Sequence, residues 1–347
     1  MKKSCVTLKL ILFFFLLPIF GLAAPYEEFS FDFHYEFPVS ENPFLSLENT
    51  SGRVVIQSHS QDKIILDGSK LVKAKNLKKA EELANQIQIK TKKNQSQISV
   101  YTQYPKFSLF KRGSASVVYR IWVPEKTRLN IKTTSADVEV FSIHEKITVS
   151  TTSGDVKAEQ NLGDLDVTTA SGDIFLNDVQ GNLDLYGTSS DMEIKNIEGK
   201  LKINATSGNI EVEKATGRID ISQTSGEVSL FEVCGDIKAF SSSGNMKIFQ
   251  KEGGLYLKTV SGDIEVKTQI ASESEFSLES TSGDIDLEIP RVADGELTIE
   301  TVSGEINCKI PLILHTASRR FLSGTLGQSG AKISLTTTSG DINIREY

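Results

Sequence analysis

Acidic residues recur at the same position of a repeated motif through the middle of the chain, and their spacing allows two kinds of chemistry. Aspartate follows a Ser-Gly pair, or a near variant of it, at Asp155, Asp173, Asp191, Asp263 and Asp284. If each repeat formed one turn of stacked β-strands, these carboxylates would lie about 4.8 Å apart. Like charges at that distance repel by roughly 0.9 kcal/mol in water. The column therefore needs either good solvation or bound cations.

Calcium is the cation that such a column would hold. Calcium-binding β-rolls are built from paired nonapeptides, but their motif places Asp two positions after a glycine, in Gly-Gly-x-Gly-x-Asp. In this chain the acid follows the glycine directly, and most corners lack a second glycine. We interpret the column as solvated turn residues, with a calcium-binding β-roll as the alternative. We expect no other metal site and no cofactor.

The remaining reactive side chains do not form a recognisable catalytic set. The histidines are scattered without the spacing of a zinc site or a catalytic triad: His34, His59, His144 and His315. Cys234 and Cys308 would be four stacked turns apart, about 19 Å at strand spacing, whereas a disulfide needs α-carbons within about 7 Å. We predict two free thiols and no catalytic residues.

Serine-glycine corners set the register of the chain. From Ala136 to Gly262 the corner position recurs every 18 residues, and later intervals are longer. Glycine tolerates positive φ where a chain reverses, and neighbouring Ser or Asp can hydrogen-bond to local backbone. We expect stacked serines to form a hydroxyl ladder. The structural corners include Ser153, Gly154, Ser171, Gly172, Ser207, Gly208, Ser225, Gly226, Ser261, Gly262, Ser339 and Gly340.

Apolar residues alternate with polar ones between the corners, which is the periodicity of β-strands. One such column contains Val156, Ile174, Ile210 and Val228. Two short strands and two corners per 18 residues predict an all-β fold, a parallel β-solenoid in which each turn stacks on the preceding one.

The two ends of the chain depart from this register. Residues 24–130 are predicted to form a β-rich capping segment with a first turn at Gly52 and one amphipathic helix over 71–87. Residues 131–347 form the predicted solenoid domain. Within it, 311–330 is a long excursion from one turn, and its Arg319 and Arg320 make it a candidate binding loop.

The N-terminus resembles an export signal. Residues 1–23 combine Lys2 and Lys3, an apolar run of 11 residues, and small residues before a predicted cleavage site. The run is shorter than the roughly 20 residues that span a bilayer, so we expect no integral membrane span after cleavage. With a net charge of -7 the chain lacks the basic surface that nucleic acids require. We therefore expect export to the periplasm, cell surface or extracellular space.

The repeated Thr-Ser-Gly-Asp-Ile corners and the C-terminal run 322–330 resemble a known family. It comprises exported bacterial β-strand-repeat proteins named "putative adhesin", within a domain of unknown function, and the resemblance covers nearly the whole mature chain. The resemblance implies a bacterial envelope protein with a solenoid fold and no established enzymatic activity. It supplies no catalytic residues.

The favoured function is that of a non-enzymatic envelope protein, an adhesin or a binding or spacer solenoid. Its long polar faces repeat one surface chemistry at regular steps, which suits a glycan or another envelope protein as partner. A polysaccharide-active enzyme of the β-helix type is the alternative. Such an enzyme needs long loops around a cleft, and only 102–116 and 311–330 could supply them.

Overall fold

The computed structural model describes residues 26–105, 114–328 and 330–347, so the predicted leader at 1–23 lies outside the described residues. The chain divides into two compact units, Met1–Gly163 and Asp164–Tyr347. The domain boundary predicted at residue 130 falls inside a strand of the first unit, and the first solenoid turns therefore belong to that unit.

Among its described residues, the N-terminal unit contains nine strands and one helix. They are β1 (Glu27–Pro38), β2 (Phe44–His59), β3 (Lys63–Ala74), α1 (Leu77–Gln86), β4 (Gln88–Asn94), β5 (Gln97–Gln103), β6 (Ala115–Pro124), β7 (Arg128–Phe141), β8 (Ile147–Ser150) and β9 (Val156–Asn161). β2 and β7 pair in parallel along most of their length, with Gly52 opposite Ala136. β1, β3 and β4 add antiparallel strands: β3 joins β6, β1 joins β3, and β4 joins β5.

The helix is shorter than the predicted span of 71–87, because residues 71–74 extend β3. That strand pairs with β1 and β6 on its two edges, and these backbone hydrogen bonds override the helical pattern of its last residues. The helix begins where Asn76 caps it: Asn76 Oδ1 accepts a hydrogen bond of 2.9 Å from the N–H of Lys79. α1 buries Ala80, Leu83 and Ala84.

In the residues that the structure describes, the C-terminal unit contains twenty strands and no helix. The strands that follow the regular 18-residue register are β10 (Leu165–Thr169), β11 (Ile174–Gln180), β12 (Leu183–Ser189), β13 (Met192–Glu198), β14 (Leu201–Ser207), β15 (Ile210–Thr216), β16 (Ile219–Ser225), β17 (Val228–Cys234), β18 (Ile237–Ser243), β19 (Met246–Glu252), β20 (Leu255–Ser261) and β21 (Ile264–Thr268). The remaining strands are β22 (Glu275–Ser282), β23 (Ile285–Ile289), β24 (Gly295–Ser303), β25 (Ile306–Cys308), β26 (Ile313–Ala317), β27 (Phe321–Leu326), β28 (Ala331–Ser339) and β29 (Ile342–Glu346).

Two parallel ladders run through this unit, and each strand pairs with the strand one turn later. Leu183 lies opposite Leu201 in one ladder, and Met192 lies opposite Ile210 in the other, so the offset is 18 residues as predicted. The inward side chains are almost fully buried aliphatic residues. The prediction of an all-β parallel solenoid is confirmed.

The stacking order at the end of the chain differs from the predicted one. β28 pairs with β22 on one side and with β24 on the other, so the last turn is inserted between two turns that precede it in sequence. The corner glycines show the same order, because an added Cβ at Gly340 would meet the carbonyl oxygen of Gly283 and one at Gly304 would meet that of Gly340. The expectation that each turn stacks on the preceding one is wrong here.

The excursion predicted at 311–330 contains an antiparallel hairpin rather than an open loop. β26 and β27 pair with each other, and β27 also pairs with β24. The hairpin thereby extends one ladder beyond β24, and the chain then returns to place β28 inside the stack.

Candidate functional site

The acidic column forms a hydrogen-bonded ladder along the corners. The Oδ1 atom of Asp173 accepts the backbone N–H of Asp191 at 3.0 Å, and Asp191 Oδ1 accepts that of Asn209 at 2.7 Å. Further along, Asp263 Oδ1 accepts the N–H of Asp284 at 2.9 Å. In the N-terminal unit Asp137 Oδ1 accepts the N–H of Asp155 at 3.2 Å. Each of these side chains thus holds the corner of the next turn.

The ladder gives the column a structural role that needs only an oxygen acceptor, which is why Asn209 and Asn245 serve in it as well as aspartate does. Within the ranges that the structure describes, no group of three or more His, Cys, Asp or Glu side chains could hold a metal ion. The calcium hypothesis for Asp155, Asp173, Asp191, Asp263 and Asp284 stays a prediction.

The corner serines do not form the expected hydroxyl ladder. In the described parts of each unit, no hydrogen bond joins the hydroxyls of stacked corner serines, and most of these side chains are exposed. The corners are instead held by side chains that point inward two residues earlier. Thr151 Oγ1 accepts the N–H of Gly154 at 3.1 Å, and Thr169 Oγ1 accepts that of Gly172 at 2.9 Å.

The other reactive residues remain apart. The histidines have separate local partners, such as the Lys63 carbonyl oxygen 2.7 Å from His59 Nε2 and the Thr325 hydroxyl 3.2 Å from His315 Nε2. Cys234 and Cys308 are free thiols, and burial raises the pKa of Cys308. Arg319 and Arg320 lie at the tip of the hairpin, in the tight turn that links β26 to β27.

An open groove on the outer face of one ladder is the most distinctive site of the C-terminal unit. It crosses β10, β12, β14 and β16 and has a volume of about 700 Å³. Its lining is neutral: Thr168, Thr169, Tyr186, Gly187, Thr188, Asn204, Ala205, Thr206, Ser222, Gln223 and Thr224. We call it the hydroxyl groove. The only titratable side chain among these lining residues is the phenol of Tyr186.

The hydroxyl groove exists because two small residues interrupt a column of larger ones. Gly187 and Ala205 lie opposite each other in register, between Thr169 on one side and Gln223 on the other. Tyr186 forms one wall with 43% of its surface exposed, and Lys202 Nζ lies 5.5 Å from its ring centre. The sequence shows these two small residues 18 positions apart, but they are overlooked if the column is treated as uniform.

Two polar atoms at this groove have no hydrogen-bond partner in the described structure. They are the amide oxygen of Gln223, a residue with only 6% of its surface exposed, and the amide nitrogen of Asn204. The Gln223 Nε2 group is fully used, because it donates to the carbonyl oxygens of Ser225, at 3.0 Å, and Gly208. The groove lining therefore covers an unpaired acceptor and an unpaired donor, and buried polar groups of this kind normally have partners.

A second groove lies on the other ladder and has a different character. Its volume is about 330 Å³, and its lining combines Phe231 and Phe249 with charged residues such as Lys247, Glu265 and Lys267. The two phenyl rings lie 5.1 Å apart between centres, and Phe231 is 51% exposed. Lys267 Nζ lies 6.0 Å from the Phe249 ring.

Comparison with family models assigns the chain over most of its length. The model of the Toastrack DUF4097 family matches residues 44–251 and, a second time, residues 236–345. The chain belongs to the Toastrack DUF4097 family. This agrees with the resemblance seen in the repeated corners and with the β-solenoid fold.

Solved structures similar to this Toastrack chain come from bacteria. A "putative adhesin" from Bacteroides fragilis has 12% identity and a TM-score of 0.25, covering 90% of this chain and 97% of that one. A "putative adhesin" from Parabacteroides distasonis has 9% identity and a TM-score of 0.32, covering 90% and 96%. A "putative lipid binding protein" from the same species has 12% identity and a TM-score of 0.29, covering 91% and 96%. Comparison with curated proteins gives no match.

Proposed function

We propose that this Toastrack protein is a non-enzymatic, exported protein of the bacterial envelope that binds a neutral glycan in the hydroxyl groove. Export is supported by the predicted leader at 1–23, and the binding role is supported by the groove. The observation that carries the proposal is a groove lined by hydroxyl and amide groups, with one exposed aromatic ring and two unpartnered polar atoms.

The chemistry of the groove matches that of a saccharide. Sugars present many hydroxyl groups, each of which both donates and accepts, so the exposed hydroxyls of Thr188, Thr206 and Thr224 are suitable partners. The Tyr186 ring provides an apolar surface for the C–H face of a sugar ring. The adjoining outward column alternates Asp184, Lys202 and Asp220, and Lys202 Nζ lies 3.5 Å from Asp184, so this column offers an acidic sugar no unpaired cation.

The same lining supports binding rather than turnover. Glycoside hydrolysis uses a pair of carboxyl groups that flank the scissile bond, whereas no carboxyl group lines this groove. The parallel register repeats hydroxyl-bearing side chains at every turn, which suits a polymer that continues past the groove.

The test is titration calorimetry with a neutral chito-oligosaccharide and, as the acidic comparison, an oligogalacturonate. Tyr186→Ala should weaken binding of the neutral sugar roughly tenfold, which corresponds to about 1.4 kcal/mol. Thr206→Val should weaken it roughly two- to twelvefold, since one hydrogen bond contributes about 0.5–1.5 kcal/mol.

Two matched variants control for effects on the fold. Thr281→Val makes the same change at an exposed threonine of the same column outside the groove, and Tyr256→Ala removes an exposed tyrosine that also lies beside a lysine. Both should bind like the unmodified protein. Equal affinity of Thr206→Val and Thr281→Val, or turnover of the neutral sugar, would contradict the proposal.

A further inference from the structure

The basic side chains that lack ion pairs are concentrated at one end of the C-terminal unit. Most lysines and arginines of this unit have a carboxylate within 4 Å, as Lys247 has Glu265 at 3.0 Å. Among its described residues, those without such a partner are Lys238, Arg291, Lys309, Arg319, Arg320 and Lys332. Lys238 stacks on two aromatic rings, and the other five lie in the last third of the unit.

Large aliphatic side chains are exposed beside Arg291 and in the first residues of β26. Val292 has 86% of its surface exposed, Ile313 has 65% and Leu314 has 54%. Arg291, Val292 and Ile313 line one groove of about 440 Å³. Its single carboxylate, Asp294, is already engaged, because its Oδ1 atom accepts the N–H of Gln328 at 2.7 Å.

The hairpin that carries Arg319 and Arg320 extends beyond the buried core. Every residue of β26 is exposed on both faces of the ribbon, and within the described chain β26 pairs only with β27. β27 is held by β24, but the outer edge of β26 is unpaired, and an exposed apolar edge strand favours association with another surface. Glu296 and Glu300 lie on the neighbouring strand β24, opposite β27, so the contact surface is the outer edge of the hairpin. This edge runs from the 290–292 loop at the base of the hairpin to Arg319 and Arg320 at its tip.

From this arrangement we propose that the C-terminal hairpin and the 290–292 loop dock onto a bilayer of anionic phospholipid. We call this surface the docking edge. Unpaired arginines are attracted to acidic headgroups, and the aliphatic side chains along the same edge enter the boundary between headgroups and acyl chains. A soluble phosphate polymer would use the arginines but would leave Ile313, Leu314 and Val292 exposed, and the lipid surface accounts for both features.

A second copy of the chain accounts for the exposed edge less well. Pairing of two β26 strands would cover apolar side chains but would leave the hairpin cations without carboxylates, since residues 309–321 contain no acidic residue. The docking edge is independent of the hydroxyl groove, so either proposal can fail alone.

The test is vesicle co-sedimentation of the exported protein recovered from a bacterial host that expresses the full chain. One set of vesicles contains phosphatidylglycerol and phosphatidylcholine in equal parts, and the other contains phosphatidylcholine alone. Arg319→Gln combined with Arg320→Gln should weaken binding to the anionic vesicles about 30-fold, since each basic side chain near such a surface contributes about fivefold.

A matched control removes two paired cations from another surface. Lys247→Gln combined with Lys251→Gln changes the net charge by the same amount at residues that form ion pairs with Glu265 and Glu232. This variant should bind nearly as tightly as the unmodified protein, and the far-ultraviolet circular dichroism of both variants should show an unchanged fold. Ile313→Ser combined with Leu314→Ser should weaken binding about tenfold.

Several outcomes would overturn the proposal. They are equal binding to both kinds of vesicle, equal losses in the arginine and lysine variants, or displacement by soluble poly(glycerol phosphate) as effective as that by anionic vesicles. Sedimentation without vesicles, abolished by the Ile313→Ser and Leu314→Ser changes, would assign the edge to a second copy instead.

Discussion

The backbone strain of one corner makes a sharp prediction about stability. Gly208 has φ of +116°, a conformation that side chains other than glycine rarely adopt. A Cβ atom at this position would lie 2.1 Å from the carbonyl oxygen of Ser190 in the preceding turn. Gly208→Ala must therefore both adopt an unfavourable backbone conformation and push two stacked corners apart.

The expected loss follows from those two effects. A non-glycine residue at positive φ costs about 1–3 kcal/mol, and separation of the corners weakens the hydrogen bond of 3.1 Å from the Ser190 N–H to the Ser207 carbonyl oxygen. That bond contributes about 0.5–1.5 kcal/mol. We expect Gly208→Ala to lower the free energy of unfolding by about 2–4 kcal/mol, measured by urea unfolding with circular dichroism.

The neighbouring corner supplies the control. Ser190 occupies the same column one turn earlier, is buried, and is not among the residues with positive φ. Its hydroxyl has no hydrogen-bond partner in the described structure, so Ser190→Ala should change stability by less than about 0.5 kcal/mol. If Gly208→Ala and Ser190→Ala unfold at the same urea concentration, the explanation of the corner is wrong.

Three further perturbations test other features of the stack. Lys214 has φ of +56°, a conformation that asparagine tolerates better than lysine does. Lys214→Asn should therefore raise the free energy of unfolding by about 0.5–1 kcal/mol in urea titrations, and a loss of stability would show that the backbone is not strained at Lys214. Asp191→Asn keeps an acceptor for the N–H of Asn209 and should be neutral or stabilising in the same titration, whereas Asp191→Leu should cost about 1–2 kcal/mol; equal effects would exclude the ladder. Burial raises the pKa of Tyr104 to about 12, above its value of about 10 in the unfolded chain. The contribution of Tyr104 to the free energy of unfolding is therefore complete below pH 10, and about 1.4 kcal/mol of it is lost by pH 11. The melting temperature of Tyr104→Phe should decrease less between pH 9 and pH 11 than that of the unmodified protein. An equal decrease in both proteins would show that other groups cause the loss of stability.

The regular part of the fold was predictable because its information is local. Alternation places Ile210 and Val228 inward whatever their partners are, and 18-residue spacing puts such residues in register. The hydroxyl groove was not predicted, since its lining depends on which outward columns adjoin Gly187 and Ala205. The start of α1 was predicted wrongly because pairing of β3 with two strands outweighs the local pattern at Leu71.

A second set of residues, all with strained backbone conformations, also could not be predicted from the sequence. Asp178, Asn196, Lys214 and Glu232 all have positive φ, at the same position in successive turns. Asp and Asn fit that conformation, but Lys and Glu give no sequence signal for it. Gln250 follows in the series without positive φ, and the pairing of β17 with β19 shifts register there.

The sequence by itself determined the β-solenoid, its 18-residue turn and its corner residues, because these depend on periodicity and on residue types at fixed spacing. Only the tertiary structure decided the order of the last turns. The corner at Ser339 and Gly340 presents the same hydrogen-bonding groups as the corners at 282–283 and 303–304, so local pattern cannot choose its neighbours. The hairpin of β26 and β27 extends the ladder beyond β24, and the final strand then occupies the place between β22 and β24.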